Sequence, residues 1–446
     1  MFKLLPSLTR TKQILALASP IILGMLSHNL IDLVDIAMVG TKGEVALAAV
    51  GLAGCLTFFF MSSLIGISSA VQTITARRLG EKKFSELADA LTASFKVIFL
   101  WGGLLSVVGY LGAPFIFSWL IDDPKVIAIS TPYFRYRVLA LVFFGINFLF
   151  RGYWNGAKQP LVYLRILITT HLCNGFLNWV LIFGHLGAPE MGVKGAGLAS
   201  AISIVLGTVL YISSGLVLIK DQGFLKRIWG LKRTTCLLIK LGVPISIRQL
   251  LFAFSLLMIY WTIGLLGTTE LAIANVLINL LLFLLLPGVG FGLAAHTLVS
   301  YSLGEGDKAA AKLWAWDVIK LACISIFSVG LIIVLIPKLI LGIFIHNPDT
   351  VARAIPLLRL DAITIWAEVA GLVIIDSLYG TGDTKQVMII STLGEWLIKI
   401  PLIYVCGITL GYGLLGIWLA IIGYNLCHSL LYLILWSRGQ WGKLAL

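Results

Sequence analysis

Two aspartates stand inside an apolar stretch that is long enough to cross a lipid bilayer. Residues 16–40 have the sequence ALASPIILGMLSHNLIDLVDIAMVG, which contains Asp32 and Asp35. On a helix these two carboxylates lie about 60° apart around the axis, and His28 is one turn before Asp32. A carboxylate inside a membrane span costs about 3 kcal/mol and usually marks an ion or substrate pathway. The pattern therefore predicts an acid that exchanges a proton within the membrane.

The same stretch contains two positions at which a helix bends easily. Pro20 lacks the amide hydrogen that a helix needs, and Gly24 adds a second weak point. A bendable helix that carries a titratable acid is typical of a proton-operated switch. The alternative is a structural pair of acids that neighbouring groups neutralise permanently.

Asn174 and Asn178 form a second polar pair, in the apolar segment 160–184. They are one helical turn apart and share a face. Buried amides need hydrogen-bond partners, and an acid on the first segment would supply them in a pattern that depends on its protonation. The alternative is that both asparagines only hold helices together, which is common in membranes.

The second half of the chain carries its acids elsewhere. Asp361, Glu368 and Asp376 lie in the segment 351–378, and Glu368 is nearest to its middle. The segment 236–264 contains no acid, only Arg248. Two pairs at helical spacing are expected to neutralise each other: Glu395 with Lys399, and Asp317 with Lys320. His296 and His428 are interpreted as packing groups.

Composition sets the class of protein that must position these residues. The chain has 446 residues, of which 59% are hydrophobic, and its mean hydropathy is +1.01. A soluble protein of this size needs more polar surface. We predict an all-α membrane protein with twelve spans of about 20 residues or more. The predicted spans are 13–39, 46–76, 87–112, 126–153, 160–184, 194–219, 236–264, 270–300, 309–336, 351–378, 385–409 and 413–437.

Basic residues are distributed unevenly among the loops. The net charge is +13, but lysine and arginine concentrate in alternate loops, such as Arg77, Arg78, Lys82 and Lys83. This asymmetry predicts that both termini are cytoplasmic, and it argues against a nucleic-acid partner. The six cysteines are scattered without a CxxC motif, so we expect no disulfide framework, no metal site and no cofactor.

The two halves of the sequence resemble each other at one constant offset, the offset that brings Pro20 onto Pro244. At that offset Gly40 also matches Gly264, Gly66 matches Gly290, Leu79-Gly80-Glu81 matches Leu303-Gly304-Glu305, and Gly156 matches Gly380. Such a register indicates a duplication. We predict a six-helix lobe over 1–219, a cytoplasmic linker over 220–235 and a second six-helix lobe over 236–446. An even number of spans makes the two halves parallel repeats.

An enzymatic function is not predicted. Gly380-Thr381-Gly382-Asp383 contains the GxGD pattern of intramembrane aspartyl proteases, but it falls in a glycine-rich turn between predicted spans. The sequence shows no clustered nucleophile and no metal-binding set.

Taken together, these features resemble the multidrug and toxic compound extrusion (MATE) transporters. The resemblance rests on the twelve spans in two halves, LVDIAMVG at the end of the first span, LGE after the second and eighth spans, and the glycine-rich turns after the fourth and tenth. The branch most similar is the DNA-damage-inducible (DinF-like) one. The resemblance implies two six-helix bundles in a V-shaped arrangement, which export cationic or amphipathic compounds in exchange for H⁺ or Na⁺.

The resemblance also assigns roles to individual residues. It implies that Asp35 is the coupling acid of the first half, that Pro20 is the bending proline, and that Glu368 is the second-half acid. Further positions matched to polar site residues are Asn174, Asn178, Tyr136 or Tyr133, and Ser200. Asp32 stands where many members have an amide or a small residue, and the acid of sodium-coupled relatives on the seventh span is absent here.

The prediction is therefore a multidrug antiporter driven by H⁺, in which protonation of Asp35 bends the first helix. The alternatives are Na⁺-coupled drug antiport and a flippase for lipid-linked precursors in the same superfamily. A flippase favours a basic central cavity, and few basic residues are interior here. We expect a monomer in the cytoplasmic (inner) membrane, whose partners are small cationic drugs and the lipid bilayer.

Overall fold

The computed structural model describes residues 6–226, 231–345, 347–439 and 441, and within these residues the chain is helical with no β-strand. The first half contains α1 (Leu8–Gly40), α2 (Glu44–Gly80), α3 (Asp89–Leu120), α4 (Pro124–Leu139), α5 (Leu141–Gly156), α6 (Pro160–Phe183) and α7 (Val193–Leu218). The second half contains α8 (Lys232–Gly264), α9 (Thr268–Gly304), α10 (Lys308–Leu335), α11 (Pro337–Gly342), α12 (Pro348–Thr381), α13 (Thr384–Gly394), α14 (Ile400–Tyr404) and α15 (Gly413–Arg438). The prediction of an all-α membrane protein is confirmed.

Most of these helices have the length and composition of membrane spans. Ten of the described helical segments are long and apolar enough to cross a bilayer, and the bent pair of α4 and α5 makes up to eleven. Many large apolar side chains are exposed, among them Phe115, Trp119 and Val217 at 77–80%, as suits contact with lipid. The remaining predicted span, 351–378, forms the 34-residue helix α12 but is not among those segments.

Two of the predicted spans are not regular α-helices. The segment 126–153 is divided at Ala140, where α4 and α5 meet at a bend of 48°. The segment 385–409 contains two π-helical turns, Glu395–Lys399 and Val405–Thr409, on either side of α14. Pro401 lies just after the first π-helical turn. Because proline removes a backbone donor and crowds the preceding turn, a widened turn at this point accommodates it.

Helix boundaries confirm the internal repeat. The offset that relates Pro20 to Pro244 brings Leu8–Gly40 onto Lys232–Gly264 and Glu44–Gly80 onto Thr268–Gly304. It also brings the start of α4 onto the start of α12. Backbone conformation agrees, because Lys82 has a φ of 59° where the other repeat has Gly306 at 82°. The two halves therefore have the same order of helices and the same local backbone conformation at these positions.

Contacts divide the chain into two compact units at points inside α1 and α8. One unit comprises Leu23–Ser246, and the other comprises Met1–Ile22 with Ile247–Leu446. Each boundary follows a proline, Pro20 or Pro244. The start of α1 therefore belongs to the unit that contains Ile247–Leu446, and the start of α8 belongs to the unit Leu23–Ser246. The division into lobes joined by a linker over 220–235 stays a prediction, and residues 227–230 of that linker lie outside the described residues.

Glycines allow these helix halves to approach their units closely. In the unit Leu23–Ser246, a Cβ on Gly66 would lie 2.5 Å from the backbone nitrogen of Ser246. In the other unit, a Cβ on Gly290 would lie 2.3 Å from the side chain of Ile22. Gly66 corresponds to Gly290 and Ser246 corresponds to Ile22 in the repeat, so equivalent positions are in close contact in both units.

Candidate functional site

Asp35 lies at the centre of a buried polar cluster in the unit Leu23–Ser246. Asp35 is 9% exposed, while Asn178 is fully buried. The amide nitrogen of Asn178 donates a hydrogen bond to Asp35 Oδ1. In the amide orientation that satisfies both of its groups, Asn174 donates to the same oxygen at 3.1 Å and accepts from the backbone nitrogen of Ser200 at 3.3 Å. The structure therefore brings together four of the residues that the sequence singled out.

Small residues on α7 allow this assembly. A Cβ on Gly195 would lie 2.5 Å from the carbonyl oxygen of Leu181 on α6, and one on Gly197 would lie 2.9 Å from the carbonyl oxygen of Tyr133 on α4. Helices that approach so closely need glycine at the contact. The close packing brings Ser200 beside Asn174.

Arg137 on α4 is a further member of the cluster, and it was not predicted from the sequence. Its guanidinium lies within electrostatic range of both Asp32 and Asp35, and it donates a hydrogen bond to the hydroxyl of Tyr133 at 3.1 Å. Its Nε is buried and has no hydrogen-bond partner among the described residues. The described ion pairs include none between Arg137 and Asp35. The arginine therefore balances the acids without locking Asp35 in a direct ion pair.

The charge of the cluster follows from these three groups. With both aspartates ionised, two negative charges face the one positive charge of Arg137, and the sum is −1. Protonation of Asp35 brings the sum to zero. Because electrostatic interactions are strong where water is scarce, this difference changes the affinity of the cluster for a cation.

Asp32 occupies a more open position than Asp35. Its side chain is 51% exposed, and Oδ2 lies 4.0 Å from Nε2 of His28 on the next turn. His28 stacks on His171 with ring centroids 5.6 Å apart, and Nδ1 of His171 is 2.7 Å from the hydroxyl of Ser27. Asp32 is therefore an accessible acid beside a histidine pair, whereas Asp35 is enclosed.

The other predicted residues of the first half lie outside the cluster. Tyr136 is half-buried on α4, and among the described residues it is Tyr133 that is hydrogen-bonded to the cluster. Pro20 lies inside α1, fifteen residues before Asp35. Gly24 faces the side chains of Leu164 and Leu167 on α6, at 3.7 and 3.4 Å from an added Cβ. Pro20 and Gly24 therefore lie where α1 can bend, several helical turns before Asp35.

The second unit, Met1–Ile22 with Ile247–Leu446, contains its own acids on α12. Asp361 is 4% exposed and accepts a hydrogen bond from the indole nitrogen of Trp418 at 2.9 Å. Glu368 accepts a hydrogen bond from Asn425 on α15. Asp361, Glu368 and Asn425 line one small cavity. The second unit thus has an acid–amide pair of the same chemistry as the pair in the first.

Two predicted ion pairs are confirmed. Glu395 and Lys399 lie 3.5 Å apart, with side chains that are 11% and 10% exposed. Asp317 and Lys320 lie 3.9 Å apart, and Asp317 also forms a closer ion pair with Arg10 at 2.8 Å. Among the described residues, no group of three histidine, cysteine or acidic side chains could hold a metal ion.

Known proteins resemble this chain over nearly its full length. The chain is 26% identical over 447 residues to the "Probable multidrug resistance protein NorM" of Brucella suis biovar 1, an alignment that covers 95% of this chain and 92% of that protein. It is 28% identical over 425 residues to the protein of the same name from Bradyrhizobium diazoefficiens, with 91% and 88% covered.

The fold is also known from solved structures. A multidrug resistance MATE family transporter of the MOP superfamily, solved in an outward-facing conformation, matches with a TM-score of 0.88 and 18% identity over 98% of this chain and 97% of that chain. The family profile of MatE matches twice, at residues 20–180 and 244–405, so it covers both repeats and most of the chain. The chain belongs to the MatE family of membrane transporters.

Proposed function

We propose that this protein is a secondary active multidrug transporter, which exports cationic or amphipathic compounds in exchange for H⁺. The relatives named as multidrug resistance proteins support drug export, because they match this chain over nearly its full length. Under this proposal the protein is not an enzyme, and its only cofactor is the coupling ion. The narrower assignment to the DNA-damage-inducible branch stays a prediction.

One observation carries the proposal: an enclosed carboxyl group is held by two amides and balanced by a nearby arginine. Asp35 is shielded from its surroundings yet is not in direct contact with a fixed cation, so its charge remains free to change. An acid that was permanently paired with arginine would lose this freedom. The arrangement suits a group that alternates between a proton and a cationic drug.

The ionised form binds the drug. With Asp35 and Asp32 both ionised, the cluster has a surplus of one negative charge, which attracts a monovalent cation into the first unit. When a proton from the outer side neutralises Asp35, the surplus is removed and the drug loses its partner. Proton and drug therefore compete for the same carboxylate, which is the simplest basis for antiport.

Asn178 relays the change in protonation. Its amide nitrogen donates to the carboxylate, while its oxygen is buried and has no hydrogen-bond partner among the described residues. A protonated Asp35 has become a donor, and it then needs an acceptor. Rotation of the Asn178 amide presents that acceptor, so the hydrogen bonds between α1 and α6 are rearranged. We propose that α1 responds by bending near Pro20 and Gly24.

Protons suit this protein better than sodium as the coupling ion. Sodium sites need several oxygen ligands, and α8 offers no carboxylate anywhere along its length. An exchange of one H⁺ for one monovalent drug moves no net charge and is driven by the pH gradient, about 1.4 kcal/mol per pH unit. Each additional proton would add the membrane potential, about 2.3 kcal/mol per 100 mV.

Dye transport by everted membrane vesicles tests the proposal. A cationic dye is added to the medium, and its accumulation in the vesicle lumen, which corresponds to export from the cell, is followed with wild type, Asp35→Asn and Asp32→Asn, which removes the more exposed neighbouring acid. We expect Asp35→Asn to abolish export while the protein remains folded in the membrane, and Asp32→Asn to retain it in part. Collapse of the pH gradient with nigericin should stop wild-type export, and sodium should not restore it. Full export by Asp35→Asn would refute the proposal.

Orientation and assembly are part of the proposal. The basic loops support a multi-pass protein of the cytoplasmic membrane with both termini inside. The whole cluster around Asp35 lies within one chain, and this is compatible with a monomer as the working unit. Labelling of single cysteines introduced at residues 82 and 122 from each side of the membrane tests the orientation.

A further inference from the structure

The second unit contains a buried cation that the proposed function does not use. Lys399 lies at the end of the π-helical turn Glu395–Lys399, and it lines a cavity of about 80 Å³ together with Glu368, Glu395 and Tyr424. Such a volume holds several water molecules or a small hydrated ion. All the residues that line this cavity belong to the second unit.

Two carboxyl groups face Lys399. Its ammonium is 3.5 Å from Oε1 of Glu395 and within electrostatic range of Glu368. The ring centroid of Tyr424 is 5.6 Å from Nζ, a distance at which an aromatic face attracts a cation. Two carboxyl groups and an aromatic ring around one positive charge are the surroundings of a bound monovalent cation.

Neighbouring groups hold the two acids in position independently of Lys399. The hydroxyl of Ser255 on α8 donates to Glu395 at 2.8 Å, and Asn425 on α15 donates to Glu368. Glu368 on α12 and Glu395 on the π-helical turn are therefore each held by a neighbouring helix, while Lys399 approaches them from the end of the turn that carries Glu395.

Other charges near the cavity leave the balance negative when Lys399 is omitted. Arg248 lies within electrostatic range of Glu395 and of Asp376, and His428 lines the same cavity. With Glu368 and Glu395 ionised and His428 neutral, the two negative charges that line the cavity are matched by Arg248 and Lys399. Without Lys399, Arg248 would face two carboxylates, and the remaining charge of −1 would favour binding of a cation.

We infer that the ammonium of Lys399 is a tethered substitute for a transported cation and determines which ion can couple to this transporter. A covalently attached cation balances the carboxyl groups of the cavity at all times, so a sodium ion that entered the second unit would meet a positive charge already in place. Coupling is then left to the acid of the first unit. The inference goes beyond the proposed function, because it concerns ion exclusion in the second unit and not the exchange at Asp35.

The inference predicts that removal of the ammonium creates a sodium site. In Lys399→Gln the two carboxyl groups remain while the positive charge is lost. Purified protein in detergent is titrated with NaCl, with choline chloride replacing it at constant ionic strength, and thermal unfolding is followed. We expect the melting temperature of Lys399→Gln to rise saturably with sodium, and that of wild type to show no specific response. A ligand that binds only the folded state stabilises it in this concentration-dependent way.

Two control variants separate this effect from general salt effects. Lys320→Gln removes a lysine from the ion pair with Asp317 on α10, outside the cavity, and should show no sodium response. Glu368→Gln combined with Lys399→Gln removes one of the two carboxyl groups and should abolish the response.

Vesicle transport provides a second measurement that needs no purification. Inward and outward sodium gradients should alter dye efflux by Lys399→Gln and leave wild-type efflux unchanged. The inference is overturned if Lys399→Gln shows no sodium response in either measurement, or if wild type responds equally. Failure of the proposed function is distinct, because it is decided by Asp35→Asn and not by the sodium response of Lys399 variants.

Discussion

Arg137 offers the most quantitative test of the charge balance in the first unit. Replacement by glutamine keeps a polar side chain of similar length and removes the positive charge that faces Asp32 and Asp35. With both acids ionised, the charge of the cluster then changes from −1 to −2. A cationic dye should bind more tightly, although the protein itself becomes less stable, since buried acids lose their counter-charge.

The expected size of the effect follows from Coulomb's law. For a ligand charge roughly 6 Å from the guanidinium, removal of that charge is worth about 3 kcal/mol at an effective dielectric of about 20. Water in the cluster weakens this figure, and a dielectric of about 40 gives about 1.4 kcal/mol. We therefore expect a 10- to 100-fold increase in affinity, with about tenfold for each 1.4 kcal/mol.

Dye binding to purified protein, measured by fluorescence polarisation at a pH where wild type binds, tests this expectation. Arg137→Lys retains the charge and should resemble wild type. Asp32→Asn combined with Arg137→Gln restores a charge of −1 and should return both affinity and melting temperature towards wild-type values. Unchanged affinity in Arg137→Gln, or a double variant no different from the single one, would refute the charge balance.

Three further perturbations have defined outcomes. Asn178→Ala removes a donor to the buried Asp35, so drug export should fall at least tenfold in vesicles while the level of protein in the membrane is retained; export at the wild-type rate would contradict its role. Gly152→Ala should destabilise the protein by about 2 kcal/mol or more in thermal unfolding, because the added Cβ would lie 2.1 Å from a backbone oxygen of α2. Gly51→Ala is the control, and it should be neutral or stabilising because the space around Gly51 is open. In the loop after α2, burial raises the pKa of Glu81, but hydrogen bonds from Lys83 and Arg78 outweigh it and lower this pKa below its usual 4.5. The stability that Glu81 contributes is therefore present above the unfolded-state pKa of 4.5, and it is lost as the pH falls through the lowered pKa of the folded state. Glu81→Gln should then cost up to about 1 kcal/mol at neutral pH, and the difference from wild type should vanish in acid.

The repeat was the most predictable part of the fold. Matching prolines, glycines and the LGE motif fixed a single offset between the halves, and helices of equal length at that offset confirm it. The effect of such residues is local, since proline and glycine change the conformation of the backbone around them. That is why the ends of α1, α2, α8 and α9 agree so well between the halves.

The contacts of Asp35 were predictable for a different reason. A carboxyl group and two amides in apolar segments must find polar partners, and few are available within the bilayer. The structure brings Asp35, Asn174 and Asn178 together as this rule requires. Their role in transport stays a proposal until it is measured.

Arg137 was not predicted as a site residue because it is close in sequence to another arginine and to two tyrosines. The stretch YFRYR contains Arg135 and Arg137, and the sequence alone does not say which of them faces the acid. In the structure Arg135 donates to the carbonyl oxygen of Tyr110, at an exposed position, while Arg137 faces the cluster. The spacing of Tyr133 and Arg137, one helical turn apart, was the signal that could have identified the pair.

Long-range geometry was the other part that the sequence did not reveal. The division of contacts inside α1 and α8 depends on how helices from distant parts of the chain pack, and hydropathy contains no information about it. The 48° bend between α4 and α5 falls at Ala140, with no proline or glycine at the break. Tertiary packing therefore set a kink that local propensity did not predict.

Proton release on drug binding tests the central claim most directly. Purified protein in weakly buffered detergent solution, at a pH where Asp35 is protonated, receives a saturating pulse of a cationic drug, and the pH is recorded. We predict release of about one proton per drug bound by wild type, since drug and proton exchange at one carboxylate, and none by Asp35→Asn. Equal proton release by both proteins, or drug binding by wild type without any proton release, would contradict the account.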